Sequence, residues 1–176
     1  MSPFIPVAVV NSGGSTSQTR RVRVVLDTPD VNGNAYPALT TNNGFANVRR
    51  VLTAFTKDVD GYWEGSVLVP LDYNSSANIV CSYVANATSG VYRNQIKSAV
   101  VAVGVSEDTA YTAETAVDTS VPASANLRFD VSTSLTTTPV AGSTLNVVVG
   151  HIGSHGNDTL AVDCLLWECS FDYLSV

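Results

Sequence analysis

The sequence predicts an all-β domain made of two packed antiparallel sheets. Three observations carry this. Helical periodicity is nearly absent, segments rich in Val, Tyr, Thr and Ile recur with turn residues between them, and several of these segments alternate apolar with polar side chains at the period of two that a strand facing one core requires. The 176 residues suit one domain, large enough to enclose an apolar core without metals or disulfide staples. Apolar residues make up 45% and charged residues only 14%, which excludes disorder driven by charge repulsion. A formal net charge of −6, from 15 acidic against 9 basic residues, argues against a surface that neutralises phosphates, so no nucleic-acid partner is expected. No stretch approaches the roughly 18 consecutive apolar residues of a membrane helix, so no membrane partner is expected either. With so few charges, the surface is expected to be covered partly by other copies of the chain, as in a homo-oligomer.

About ten strands are expected. The first eleven residues are apolar but broken by Pro3 and Pro6, with no basic leader, and do not read as a secretory signal. Residues 11–19 (NSGGSTSQT) have the composition of a flexible linker, which divides the chain into an N-terminal arm and linker at 1–19 and a sandwich body at 20–176. Segment 21–26 (RVRVVL) alternates and stops at the turn residues 27–30; a long loop rich in Asn and Gly follows to about residue 46. Segments 48–55 and 62–69 flank the turn KDVDG, which reads as a hairpin with Gly61 at positive φ. Segment 78–85 puts Ile79, Cys81 and Tyr83 on one face and Val80, Ser82 and Val84 on the other, so at least one face is wholly buried. A turn at 86–90 reverses the chain into the extended stretch 91–105. Polar residues 106–123 follow, with 109–116 as a candidate short helix. In segment 126–132, Leu127, Phe129 and Val131 point inward and Arg128 and Asp130 outward. Segment 144–149 is a further strand. The closing segment, 160–173, places Leu165, Trp167, Cys169 and Phe171 on one face and Leu166, Glu168, Ser170 and Asp172 on the other.

The residues offer little chemistry. His151 and His155 flank a glycine-rich turn with Asp158 nearby, but no third His or Cys joins them, and Asp158 fits equally a turn residue that bonds its own backbone. Asp27, Asp30, Asp58 and Asp60 lack the spacing of a calcium loop and read as turn formers. No nucleophile elbow, phosphate loop or zinc-protease motif is present, so no catalytic residue, cofactor or metal is expected. A hydrolytic role would need His151 or His155 beside a nucleophile. Cys81, Cys164 and Cys169 read as buried thiols. Trp63 with Tyr62, and Tyr83 with Tyr92, would make a sugar-stacking platform if exposed together, and core packing otherwise. Arg21, Arg23, Arg49 and Arg50 are the interface candidates among the basic residues, expected either to be solvated or to meet acidic groups of a neighbouring subunit. Phe4, Ile5, Val7 and Val9 form the apolar part of an arm that would add a strand to a neighbour's sheet edge.

From residue 69 onward the chain resembles a group of small phage-encoded, virion-associated β-sandwich proteins. The resemblance rests on Val69-Pro-Leu-Asp-Tyr73, on Ile79-Val-Cys-Ser-Tyr-Val-Ala-Asn-Ala-Thr-Ser-Gly90, on the strand around Ala99-Val-Val-Ala-Val103, and on Asn157-Asp-Thr-Leu-Ala-Val-Asp-Cys-Leu-Leu-Trp-Glu-Cys-Ser-Phe-Asp-Tyr173. It implies a jelly-roll sandwich, a homotrimer, and a structural protein that decorates and cements a phage head by bridging contacts to the major capsid protein, hence a place on the virion's capsid surface after synthesis in the host cytoplasm. The same modules resemble tail-fibre tips, for which a carbohydrate or receptor would be the partner.

Overall fold

From the fourth strand onward the chain crosses repeatedly from one sheet to the other, and this winding defines the architecture. The computed structural model describes residues 17–29, 38–41, 51–106 and 108–176, and at 27–29, 38–41, 51 and 52 the backbone alone. These residues form β1 (Gln18–Arg23), β2 (Val25–Pro29), β3 (Ala38–Thr41), β4 (Val51–Phe55), β5 (Asp60–Leu68), β6 (Tyr73–Ala85), β7 (Val91–Val101), β8 (Thr112–Ala113), β9 (Val117–Ser120), β10 (Arg128–Ser134), β11 (Thr144–Ile152) and β12 (Cys164–Ser175). The first sheet runs β10-β6-β12-β4-β3 with β1 also on β12. The second runs β2-β5-β11-β7-β8 with β9 also on β7. Every pairing is antiparallel. The path from β4 to β7 alternates between the sheets, as does that from β10 to β12, so the fold is an antiparallel two-sheet sandwich wound as a jelly roll.

The winding corrects one expectation directly. Segments 51–55 and 60–68 are not a hairpin, because β4 pairs with β12 and β3 while β5 pairs with β2 and β11. The connection crosses the sandwich, and positive φ is taken by Asp58 (58°), with Gly61 already inside β5. Nor is there a helix at 109–116, where β8 pairs Lys97 with Ala113 and Ser98 with Thr112. Residues 1–16 of the expected arm lie outside the described residues. Gln18 and Thr19 belong to the body, paired with Ser175 and Leu174.

Position in the sheet explains each strand's composition. β10, at an edge, alternates strictly: Phe129, Val131 and Thr133 are buried and Arg128, Asp130, Ser132 and Ser134 exposed. Leu127, expected inside, precedes the strand and is exposed. β11 lies between β5 and β7, so Leu145, Val147, Val149 and His151 enter the core while Val148 is buried on the outer side. β6 is likewise buried on both faces from Ile79 to Ala85. The core between the sheets gathers Phe55, Trp63, Ile79, Tyr83, Tyr92, Ile96, Val131, Leu145, Val149 and Phe171. Each such side chain contributes roughly 1.5–3 kcal/mol by leaving water.

Two polar ties close the open sides. Glu114, 2% exposed, accepts hydrogen bonds from Ser98 Oγ (3.0 Å), Thr136 N (2.9 Å) and Thr136 Oγ1 (2.8 Å), drawing the strap before β9 and the loop after β10 onto β7. Asp158, at the opposite end, accepts from Arg93 N (2.8 Å) and from Leu160 N (3.3 Å), and lies 2.9 Å from His151 Nε2.

Candidate functional site

The sites expected from sequence are dispersed by the fold. His151 is 1% exposed, stacked on Tyr92 at 4.7 Å and bonded to Asp158, not to a nucleophile. His155 is exposed, and its Nδ1 accepts from Asn157 N (3.1 Å). Among the described residues no three His, Cys, Asp or Glu side chains converge as metal ligands. The aromatic platform is absent, because Tyr83 and Tyr92 are fully buried and Tyr62 and Trp63 are 8% and 7% exposed. Burial pushes both the Tyr83 and Tyr92 hydroxyls well above their ordinary pKa. Arg21 meets an acid of its own chain: its guanidinium contacts both oxygens of Asp172, at 2.8 and 2.7 Å, and that hydrogen bond raises its pKa. The register Arg21↔Asp172 places the pair on adjacent strands. Arg49, Arg50, Phe4, Ile5, Val7 and Val9 lie outside the described residues.

The structure assembles a different site, at a gap in the first sheet. On the side of β12 away from β6, β4 pairs with Cys164, Leu165 and Leu166, and β1 pairs from Ser170 onward. Between them β1 ends at Arg23, Val24 N donates to Cys169 O (2.9 Å), and the chain leaves for the second sheet as β2. The β4 ladder thus runs to Leu166 and the β1 ladder from Ser170, with the Val24–Cys169 backbone bond between them.

β12 carries a bulge at this same place. Its ladder to β6 steps from Leu166↔Tyr83 to Glu168↔Ser82, leaving Trp167 as the extra residue. The bulge shifts the parity of the strand: Cys164 and Leu166 face the core before it, Cys169, Phe171 and Tyr173 after it. Trp167 is put on the outer face, half-buried against Ala54 and Leu165. This corrects the expected facing, in which Trp167 shared a core row with Leu165, Cys169 and Phe171. The run of four apolar residues at 164–167, inside an otherwise alternating strand, is the sequence signal of the slip.

The gap opens into a cavity of about 200 Å³ lined by Arg23, Val24, Val25, Leu26, Thr53, Trp63, Leu166, Trp167, Glu168 and Cys169. Trp63 reaches it from the opposite sheet, and its indole Nε1 is buried without a hydrogen-bond partner. Such an orphan donor costs roughly 1–3 kcal/mol until an acceptor reaches it. Among the described residues the site thus joins both tryptophans of the chain to one guanidinium and one carboxylate. Its volume lies below the roughly 300–1,000 Å³ of a drug-sized pocket and suits one ring-sized group.

No family model matches the chain, and no curated protein matches it. Among solved structures it is similar to the enzymatically active domain of tailspike protein 4 of bacteriophage CBA120 (7% identity, TM-score 0.40), covering 89% of this chain and 19% of that one. It is similar to TmCBM61, solved in complex with β-1,4-galactotriose (13% identity, TM-score 0.38, covering 89% and 86%). It is also similar to an exo-β-1,3-galactanase from Phanerochaete chrysosporium (11% identity, TM-score 0.38, covering 90% and 30%). Likenesses this distant carry no weight for what this chain binds.

Proposed function

We propose that this chain is a non-catalytic binding module that takes a carbohydrate at the gap beside β12. The observation that carries the reading is the meeting of Trp63 and Trp167 in one opening, with the Trp63 indole N–H left without an acceptor. A sugar matches both features: its C–H face packs on an indole ring, and its hydroxyls accept from an N–H and bond to Arg23 and Glu168. Among the described lining residues Glu168 is the single carboxylate, whereas glycoside cleavage ordinarily uses a pair, which supports binding over turnover. Together with the resemblance to virion-associated sandwiches, this reading makes the chain a receptor-binding head of a virion fibre.

The test is an array of immobilised oligosaccharides, followed by calorimetry on those retained. Trp167→Ala is expected to weaken binding roughly tenfold or more with thermal stability little changed, and Trp63→Phe to weaken it by removing the N–H together with part of the ring face. No oligosaccharide retained, or both variants binding as the parent does, overturns the reading.

A second reading, capsid cement, is favoured by a different observation. The strand ends at Leu68, Val101 and Thr144 lie in one row of the second sheet, and exposed Leu68, Leu71, Val103, Val105 and Val140 gather at or just beyond them. Such an apolar end suits burial against another subunit.

A further inference from the structure

We infer that Cys81 and Cys169 form a redox-active dithiol, closed to a disulfide by a small hydroperoxide that enters through the gap beside β12. This stands independently of any carbohydrate. The two residues face each other directly in the ladder between β6 and β12, one step beyond the bulge. Opposed residues of an antiparallel pair have Cα atoms about 4.5 or 5.5 Å apart, and both spacings fall within the roughly 4.4–6.8 Å that a disulfide spans. Their sulfurs are 3.7 Å apart, with the Cys81 thiol donating to Cys169 Sγ. Rotation of the side chains has to close only about 1.7 Å to reach bonding distance.

Access sets the order of events. Cys169, though buried at 3% exposure, is among the residues that line the opening, whereas Cys81 and Cys164, both at 0%, are not. Cys169 loses its proton and attacks one peroxide oxygen. The O–O bond breaks, the departing oxygen leaves as water (or an alcohol) carrying that proton, and Cys169 becomes a sulfenic acid. Cys81 then attacks the Cys169 sulfur, the S–O bond breaks, and hydroxide leaves with the Cys81 proton as a second water. Two thiols lose two electrons and the O–O bond gains them. The hydrogen bond shared with Cys81 and burial hold the Cys169 thiol well above its ordinary pKa, so the reaction is slow at neutral pH and quickens as pH rises.

The experiment uses the whole purified chain, reduced and then treated with hydrogen peroxide alone. Thiol counting in denaturant is expected to fall from three to one, and non-reducing peptide mapping to join the Cys81 and Cys169 peptides with Cys164 free. The midpoint of thermal unfolding is expected to rise by roughly 5–10 °C, reversed by a reductant. In Cys81→Ser the reaction is expected to stop at a sulfenic acid on Cys169, captured by dimedone. Three thiols surviving the treatment, or oxidation falling first on Cys164, overturns the inference; the parent chain alone decides it, whether or not the variant folds.

Discussion

Gly65 shows how much a single missing side chain permits. A Cβ built there would sit 2.0 Å from the Val25 carbonyl oxygen and 2.7 Å from Leu26 Cα, both backbone atoms. Opposite it, β2 makes its own register shift between Leu26 and Thr28. Because backbone on both sides is held by ladder hydrogen bonds, Gly65→Ala is expected to cost about 3 kcal/mol, measured by denaturant unfolding. The substitution is also expected to disturb the gap lining at Val25 and Leu26. At this scale the sequence was partly legible. Asp158 does bond the backbone two residues on, as a turn residue should, but its contact with His151 joins a loop to a strand end and needs the folded chain to be seen. The tryptophans are the harder case. A lone Trp63 in a strand announces burial, while its orphaned N–H depends on which atoms the other sheet brings near.

At the scale of the element, the β12 bulge and the Glu114 strap do most to depart from the pattern in the residues. Alternation of period two is readable only while the register holds, and one extra residue at Trp167 reverses which side chains meet the core. The stretch around Glu114 has no apolar period at all. It is held by a buried carboxylate whose donors, Ser98 and Thr136, lie 16 and 22 residues away. Glu114→Ala strands those donors and is expected to destabilise the domain by about 2–4 kcal/mol. Glu114→Gln keeps one acceptor oxygen and is expected to cost less. Amide hydrogen exchange checks the mechanism: the Thr136 N–H and the β8 residues are expected to lose protection before the rest of the second sheet.

The whole molecule was legible in class and illegible in connection. Composition and strand count predict two antiparallel sheets, yet nothing local in segments 51–55 and 60–68 says that they belong to opposite layers. Short turns with Gly serve hairpins and sheet-crossing corners alike. The aliphatic end around Leu71 and Val103 belongs to this scale too, because loops from three connections build it. If the cement reading holds, sedimentation of the parent chain is expected to show an oligomer that Leu71→Asp with Val103→Asp converts to monomer, with the melting of the sandwich unchanged. A monomeric parent chain removes that reading and leaves the carbohydrate reading untouched.

The place of β12 has a consequence for how the domain comes into being. It is the last strand of the fold in chain order, yet it is central in its sheet, flanked by β6 on one side and by β4 and β1 on the other. Until it emerges, β6 exposes the edge away from β10, and among the described residues β1 lacks its partner strand. A ribosome making this domain therefore holds an unfinished half-sandwich until β12 has followed the other strands out, a state that invites pairing with neighbouring nascent chains and makes β12 the step on which native assembly waits.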